Sequence, residues 1–339
     1  MNKKKILSVG SVLLAVCFLG FGAWTCRGER VFSDGETEAG DAKANAAELV
    51  IGCTLASGES NYQEALGNLM QDFAEKDGSY TLDIRYAAWS VETQEQQMRD
   101  FIEEGVDAII LCPVNAKSFL GVLKEASQHE IPVINLNMKV DLVSTEYVAA
   151  YVGASMSEEA EMAASLAIDY FDGAEGKIGI IEGLSGSDPQ IYRTQTFLEK
   201  LTSHPNIEVV GIAGGEWEKD KAKEAARELL VKCPEINLMY CHDNYMSQGV
   251  YELLEELGKT EEIGIIGIGS ASEHMEDVRE GRLVGLVTQP PEVEAYYALE
   301  CAKKGAMGEE LQSWYKNIVQ IITKENVDEY RSPLEAVLS

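Results

Sequence analysis

The chain has few basic residues. Its 339 residues include 28 Lys and Arg against 57 Asp and Glu, which gives a net charge of −29 at pH 7. Binding of nucleic acid needs clustered positive side chains that neutralise the phosphate backbone, so this composition excludes a nucleic-acid partner. The acidity indicates a solvated acidic surface and does not by itself identify a cationic ligand.

Motifs for catalysis and metal binding are also lacking. The sequence contains no G-x-S-x-G, no P-loop and no H-E-x-x-H. Its four histidines are scattered, and its cysteines do not have metal-ligand spacing. The glycines at Gly183 and Gly186 follow a strand pattern but lack the dinucleotide-binding spacing. We therefore predict no metal, no cofactor and no enzymatic activity. A Cys233–Cys241 disulfide is an alternative to free thiols at those two positions.

The N-terminus has the pattern of a targeting segment. Three lysines precede residues 6–24, which carry no charge and are mostly apolar. This run is just long enough to span a bilayer, and its charge asymmetry favours export of the rest of the chain. Residues 1–27 are predicted to be a cleaved signal peptide, an uncleaved membrane anchor, or a segment lipidated at Cys17 or Cys26. The polar residues 28–47 are predicted to form a flexible tether.

What the chain has in abundance is alternation of strand and helix patterns. The clearest stretch is 93–139, where an apolar run at 108–112 is followed by a helix pattern and a second apolar run at 131–136. Strands that are apolar on both faces belong in a parallel sheet covered by helices. Pro113 and Asn137 follow these two strands, at the edge where open α/β sheets bind ligands.

The same rhythm continues along the chain from residue 49. Strands are predicted at 49–55, 81–86, 108–112, 131–136, 147–152, 177–182, 207–213, 238–241, 263–268 and 283–288. Helices are predicted at 62–76, 93–104, 116–129, 158–170, 192–202, 218–232, 246–257, 274–280 and 291–304. Ten strands would make one very broad sheet, so the pattern favours an α/β fold with two doubly wound parallel sheets in two lobes.

A series of motifs in this order resembles the type I periplasmic binding proteins, closest to the ribose-binding group that serves sugar ABC transporters. The motifs are EEGVDAIILCPVN at 103–115, HEIPVINLN at 129–137, VGASMSEEAEMAASLA at 152–167, GKIGIIEGLSG at 176–186, GGEWEKDKA at 214–222, CHDNYMSQGV at 241–250, EIGIIGIG at 262–269, GRLVGLVTQPP at 281–291 and ITKENVDEY at 322–330. The resemblance covers roughly residues 49–330.

The resemblance implies the fold and its partners. It implies two lobes joined by a three-segment hinge, with an N-lobe of 48–154 plus 290–319 and a C-lobe of 155–289 plus 320–339. A small solute would bind in the cleft between the lobes and close them. The implied partners are a sugar-like ligand, the permease of an ABC importer and the membrane, with the protein acting as an exported monomer.

The resemblance also implies a ligand site. By matching positions, the site comprises Glu59, Asn61, Tyr62, Trp89, Asn137, Arg193, Trp217, Asp243 and Gln289. In the family the arginine donates a fork of hydrogen bonds, the tryptophan stacks on a sugar ring, and the aspartate accepts hydroxyl hydrogens. The alternatives are that Arg193 pairs with a nearby acid and that Trp217 only caps the following helix. Replacement of Arg193, Trp217 or Asp243 by Ala is expected to weaken binding with little loss of stability.

The remaining positions are implied less specifically. Gln289 matches a hinge glutamine that contacts ligand in several family members, with hinge packing as the alternative. Tyr62 matches an aromatic residue at the start of the first helix, flanked by Glu59 and Asn61. Asn137 ends a strand, and Trp89 lies at the cleft mouth.

Three positions depart from the family pattern. The Asp-Arg pair of many sugar binders is replaced by Asn137-Met138, an aspartate by Gly269, and an asparagine by Cys112. A sugar with many hydroxyls needs a matching number of paired polar groups. The sequence therefore predicts a ligand with fewer hydroxyls than ribose or glucose, or a different pose, with sugars and their derivatives as the leading class.

Two function classes share this fold and compete with import. A sensory receptor would present the ligand to a membrane kinase or a chemoreceptor, and the sequence does not separate this alternative from an importer. A lac-type repressor would need a basic helix-turn-helix at its N-terminus, where this chain has an apolar export segment.

Overall fold

The computed structural model describes residues 49–338, which form two lobes built around parallel sheets. The strands are β1 (Leu49–Leu55), β2 (Tyr80–Tyr86), β3 (Ala108–Leu111), β4 (Val133–Leu136), β5 (Ala150–Gly153), β6 (Gly176–Glu182), β7 (Ile207–Gly214), β8 (Leu238–Cys241), β9 (Gly264–Gly269), β10 (Gly285–Thr288), β11 (Trp314–Lys316) and β12 (Ile321–Ile322). The helices are α1 (Asn61–Asp77), α2 (Val91–Glu104), α3 (Leu120–Gln128), α4 (Met156–Phe171), α5 (Asp188–Leu201), α6 (Lys219–Lys232), α7 (Asn244–Leu257), α8 (Ala271–Arg279), α9 (Pro291–Ala306) and α10 (Leu334–Val337).

Each lobe contains one six-stranded sheet. The first lobe has the strand order β11-β5-β4-β3-β1-β2, and the second lobe has the order β12-β10-β9-β8-β6-β7. All pairs are parallel except β10 with β12, which run antiparallel. The prediction of two doubly wound parallel sheets is confirmed.

The cores follow from the apolar strands. Every residue of β3 and β4 is buried, because helices cover both faces of the first sheet. Four of the helices, α1, α2, α4 and α7, end at a residue in the left-handed conformation. Gly105, for example, closes α2 with a φ of 71°, directly after the helix predicted at 93–104.

The chain crosses between the lobes three times within the described residues. It crosses from β5 to α4, from β10 to α9, and from β11 to β12. Ser155 lies in the first crossing and caps α4, where its hydroxyl oxygen accepts from the Glu158 N–H at 3.3 Å. The three-segment hinge of the predicted fold corresponds to these crossings. Near the end of the chain, β12 belongs to the second sheet, whereas α10 contacts α9 of the first lobe.

The predicted elements are all present, with shifts at their ends. Helix α3 begins at Leu120 rather than near 116, because the Asn115 side chain accepts from the backbone N–H groups of Lys117 and Ser118 and forms a turn there. The short strands β11 and β12 and helix α10 lie in a region where the sequence pattern predicted no element.

Two further predictions concern the cysteines and the N-terminus. Cys233 and Cys241 are free thiols, so the alternative of a disulfide between them is wrong. The predicted targeting segment and tether at 1–47 lie outside the described residues. In the range 49–338, no helix has both the length and the apolar character that a bilayer span requires.

Candidate ligand-binding site

A cavity lies between the two lobes and is lined by side chains from both. It contains about 610 Å³ of space free of protein atoms, part of which is open to solvent. Its lining includes eight of the predicted residues: Asn61, Tyr62, Trp89, Asn137, Arg193, Trp217, Asp243 and Gln289. Glu59 is exposed and does not line the cavity.

Two tryptophans in the cavity wall, Trp89 from the first lobe and Trp217 from the second, have unusual backbone conformations. Trp89 has a φ of 59° and Trp217 a φ of 65°, the left-handed region that residues other than glycine rarely adopt. Trp89 contacts the apolar cores of both lobes. The ring of Trp217 lies on Gly183, where a Cβ atom would be 1.9 Å from a ring carbon. Gly183 is therefore required for the position of this indole, and backbone strain of this kind is often found at ligand sites.

Arg193 is held by a buried ion pair. Its Nε and one terminal nitrogen donate to the same oxygen of Glu159 at 3.0 and 2.8 Å, and Glu159 is fully buried. The other terminal nitrogen donates to the His242 carbonyl at 2.5 Å, and a longer bond of 3.3 Å reaches Gln289. The predicted alternative of pairing with an acid is thus present, and it coexists with a place in the cavity wall.

This pairing determines what Arg193 can offer to a ligand. Four of its five N–H groups are used within the protein, which leaves one on the terminal nitrogen that bonds His242. This ion pair argues against the expectation of little stability loss in Arg193→Ala, because the change would leave Glu159 buried without its partner. Burial raises the pKa of Glu159, and the charge of Arg193 opposes that rise.

Asp243 lies at the N-terminus of α7, where it caps the helix. One carboxylate oxygen accepts from the Met246 N–H at 2.7 Å, which leaves the other oxygen available to the cavity. Burial raises the pKa of Asp243 to about 6, and the Met246 N–H and the Arg193 charge oppose this rise. The carboxyl group is therefore mainly ionised at neutral pH and can accept a hydroxyl hydrogen.

Other buried polar atoms in the wall have no partner within residues 49–338. They include the indole N–H of Trp217, the side-chain nitrogen of Gln289, and both polar atoms of the Asn244 side chain. Groups of this kind are costly in a closed site unless a ligand or water pairs with them. Asn244 was missed by sequence reasoning, although its place beside Asp243 in the 241–250 motif was a usable signal.

The departures from the family pattern have different positions. Met138 and Gly269 line the cavity, with Met156 and Ile268 adding further apolar surface. Cys112 is fully buried and does not reach the cavity. The cavity wall thus combines apolar side chains with the polar groups of Arg193, Asp243 and Asn244.

Two α/β lobes, three crossing segments and an aromatic cavity between the lobes define a cleft-type solute-binding protein. The family model described as a periplasmic binding protein domain matches residues 51–310, and the chain belongs to this family. The family consists of solute-binding proteins rather than enzymes and places the protein outside the cytoplasm.

Several proteins are similar to this chain. The galactofuranose-binding protein YtfQ of Escherichia coli (strain K12) is 30% identical over 219 residues, 63% of this chain and 68% of that protein. The xylitol-binding protein of Mycolicibacterium smegmatis is 28% identical over 293 residues, 86% of this chain and 81% of that protein. A Bacillus halodurans solute-binding protein with bound myo-inositol has the same fold, with a TM-score of 0.80 and 24% identity over 85% of this chain and 98% of that chain.

Proposed function

We propose that this chain captures a sugar or a sugar-like polyol between its lobes and delivers it to the permease of an ABC importer. The observation that carries the proposal is the cavity, in which the rings of Trp89 and Trp217 accompany unpaired polar atoms from the second lobe. Flat aromatic faces and hydrogen-bonding groups together suit a sugar ring, which has both C–H faces and hydroxyl edges.

The polar groups specify the ligand further. Donors come from Arg193, Trp217 and Gln289, whereas acceptors come from Asp243 and Asn137, with Asn244 able to do both. The side chains of Met138, Met156 and Ile268 are apolar and do not pair with ligand hydroxyls. The ligand that fits this wall combines hydroxyl groups with less polar surface. Relatives of this chain are named for galactofuranose and xylitol.

Recognition by the importer rests on closure of the lobes. A ligand that contacts both walls favours the closed arrangement, so the permease can distinguish the occupied protein from the empty one. Membrane attachment through residues 1–27 and a monomeric state complete the proposal. The sensory alternative is not favoured. A fructose-binding periplasmic domain of a hybrid two component system shares the fold at 22% identity and a TM-score of 0.77, which shows the fold alone.

A ligand screen tests this function. The purified protein is heated with D-allose, xylitol, myo-inositol and methyl galactofuranoside, and in parallel with amino acids and nucleosides. A ligand at 100 times its dissociation constant should stabilise the protein by about 2.7 kcal/mol. A Trp89→Ala/Trp217→Ala variant should lose the shift, while Glu103→Ala, at an exposed position on α2, should keep it. Stabilisation by amino acids or nucleosides alone would show that the ligand class is wrong.

A further inference from the structure

A fully buried carboxylate lies behind the cavity wall, in the first turn of α9. Glu294 has no exposed surface, and its two oxygens accept from two different asparagines. One oxygen accepts from the side-chain nitrogen of Asn137 at 2.9 Å, and the other from that of Asn317 at 3.1 Å. Asn137 is in the cavity wall, whereas Asn317 is in the last crossing between the lobes.

Asn137 is fixed on three sides by the protein. Its backbone N–H donates to Val152 at 2.8 Å, its carbonyl accepts from the Tyr151 hydroxyl at 2.7 Å, and its side-chain nitrogen is bound by Glu294. Its φ of 58° is in the left-handed region, which asparagine tolerates better than most residues. In the described part of the chain, the side-chain oxygen Oδ1 is the polar atom of Asn137 that has no partner.

The chemistry of a carboxylate sets the orientation of this amide. An ionised carboxylate accepts hydrogen bonds and donates none, so the Asn137 side chain must turn its nitrogen toward Glu294. Oδ1 then faces the cavity and can only accept. A neutral amide in place of Glu294 has one acceptor oxygen, so it could accept a hydrogen bond from only one of the two asparagines. Asn317 would keep its orientation, since its nitrogen also donates to the Pro290 carbonyl at 3.0 Å, and Asn137 would turn.

We propose that Glu294 is a positioning residue, which fixes Asn137 so that a hydroxyl acceptor faces the ligand. It makes the neutral Asn137 perform the role of the aspartate that the family pattern has there, and it selects ligands with a hydroxyl at that place over their deoxy analogues. The selection of sugar hydroxyls rests on the proposed function, whereas the orientation of Asn137 does not.

Glu294 is expected to titrate near neutrality. Burial raises its pKa to about 7, while the bonds from Asn317 and Asn137 oppose the rise. The other titratable groups around it are Tyr62 on α1, Tyr151 on β5 and Glu159 on α4 with its partner Arg193, together with the buried Cys112 thiol. Protonation of Glu294 removes an acceptor, so a ligand that needs Oδ1 should bind less tightly as the pH falls through about 7.

A double-mutant cycle tests the proposal. Glu294→Gln, Asn137→Gly and the double variant are titrated by calorimetry with D-allose, xylitol and myo-inositol at pH 8. Glycine is chosen at 137 because it accepts the left-handed backbone without strain. Each single change should weaken binding about tenfold, because one hydrogen bond is lost. The double variant should bind as Asn137→Gly does, because Glu294 acts through Asn137. Glu300→Gln on the same helix should bind as wild type.

Two results would overturn the positioning role. One is a loss of binding free energy in the double variant equal to the sum of the losses in the two single variants. The other is a pH profile of binding for Glu294→Gln that keeps the wild-type step near 7.

A second measurement does not depend on any ligand. In the wild-type protein, the NMR signals of the Asn137 side-chain NH₂ group should shift with an apparent pKa near 7, and this titration should vanish in Glu294→Gln. The signals are assigned by their loss in Asn137→Gly. If no probe binds but the titration is seen, the sugar function fails while the positioning role stands. If the Asn137 signals do not titrate, the positioning role is wrong whatever the protein binds.

Discussion

Removal of the Arg193 side chain should destabilise the protein as well as weaken ligand binding. In Arg193→Ala, the carboxylate of Glu159 would lose its cationic partner in a place with no solvent exposure. The carbonyl of His242 and the side-chain oxygen of Gln289 would each lose a donor too. The other oxygen of Glu159 already lacks a partner within residues 49–338, so nothing nearby compensates for the loss.

The size of the effect follows from the burial. Breaking a buried ion pair by removal of one member costs about 3–5 kcal/mol, because an uncompensated charge stays in the interior. The loss of the last free N–H should weaken ligand binding by about tenfold as well. Replacement of both members, as in Arg193→Met/Glu159→Gln, removes both charges and should recover most of the stability but not the affinity.

The stability loss should depend on pH. In Arg193→Ala, the pKa of Glu159 rises further above its unfolded value, since burial then acts unopposed by the arginine. A group with a raised folded pKa contributes stability that is present below its unfolded pKa and is lost as the pH rises through its folded pKa. The variant should therefore lie closer to wild type at pH 5 than at pH 7.5.

Urea unfolding of the wild type, Arg193→Ala and Arg193→Met/Glu159→Gln at pH 5 and 7.5 measures these differences. The expected result is a large loss for Arg193→Ala at pH 7.5, a smaller one at pH 5, and recovery in the double variant. Unfolding of Arg193→Ala at the wild-type urea concentration at pH 7.5 would show that Glu159 does not depend on this arginine.

Three further predictions concern the cavity. Gly183→Ala should displace the Trp217 ring and shift its fluorescence, because the added Cβ would overlap the indole. It should weaken binding at least tenfold and cost about 1–3 kcal/mol of stability. The control Gly121→Ala should have none of these effects, because the space around its Cβ position is open. Ligand affinity, measured by calorimetry, should fall as the pH is lowered through about 6, since protonation of Asp243 removes an acceptor, and Asp243→Asn should lack this step. Small-angle scattering should show a smaller radius of gyration on saturation with ligand, and an unchanged radius would contradict closure of the lobes.

Much of the fold could be predicted from the sequence, because local residue patterns specify its strands and helices. Apolar runs such as 108–112 and 131–136 are specific to buried parallel strands, and Gly105 marks a helix end with a backbone angle that favours glycine. The short strands β11 and β12 were not predicted, since two or three residues carry no periodicity and their pairing depends on strands more than thirty residues distant in sequence. The turn at Asn115 depends on one side chain that competes with the helix.

The residues of the candidate site could be predicted from the sequence, but the hydrogen bonds and ion pairs among them could not. Matching motifs named eight residues that line the cavity, because the carboxyl ends of parallel strands meet at one edge of each sheet. Neither burial of Glu159 behind Arg193 nor the contact of Glu294 with Asn137 could be read from the sequence. Asn137 and Glu294 are 157 residues apart, and both glutamates look like ordinary helical surface residues in the sequence. The sequence by itself determined the two sheets, because these depend on local periodicity, and its resemblance to the family implied the wall residues. The tertiary structure alone decided which donors and acceptors stay free for a ligand, because that depends on partners brought together only by folding.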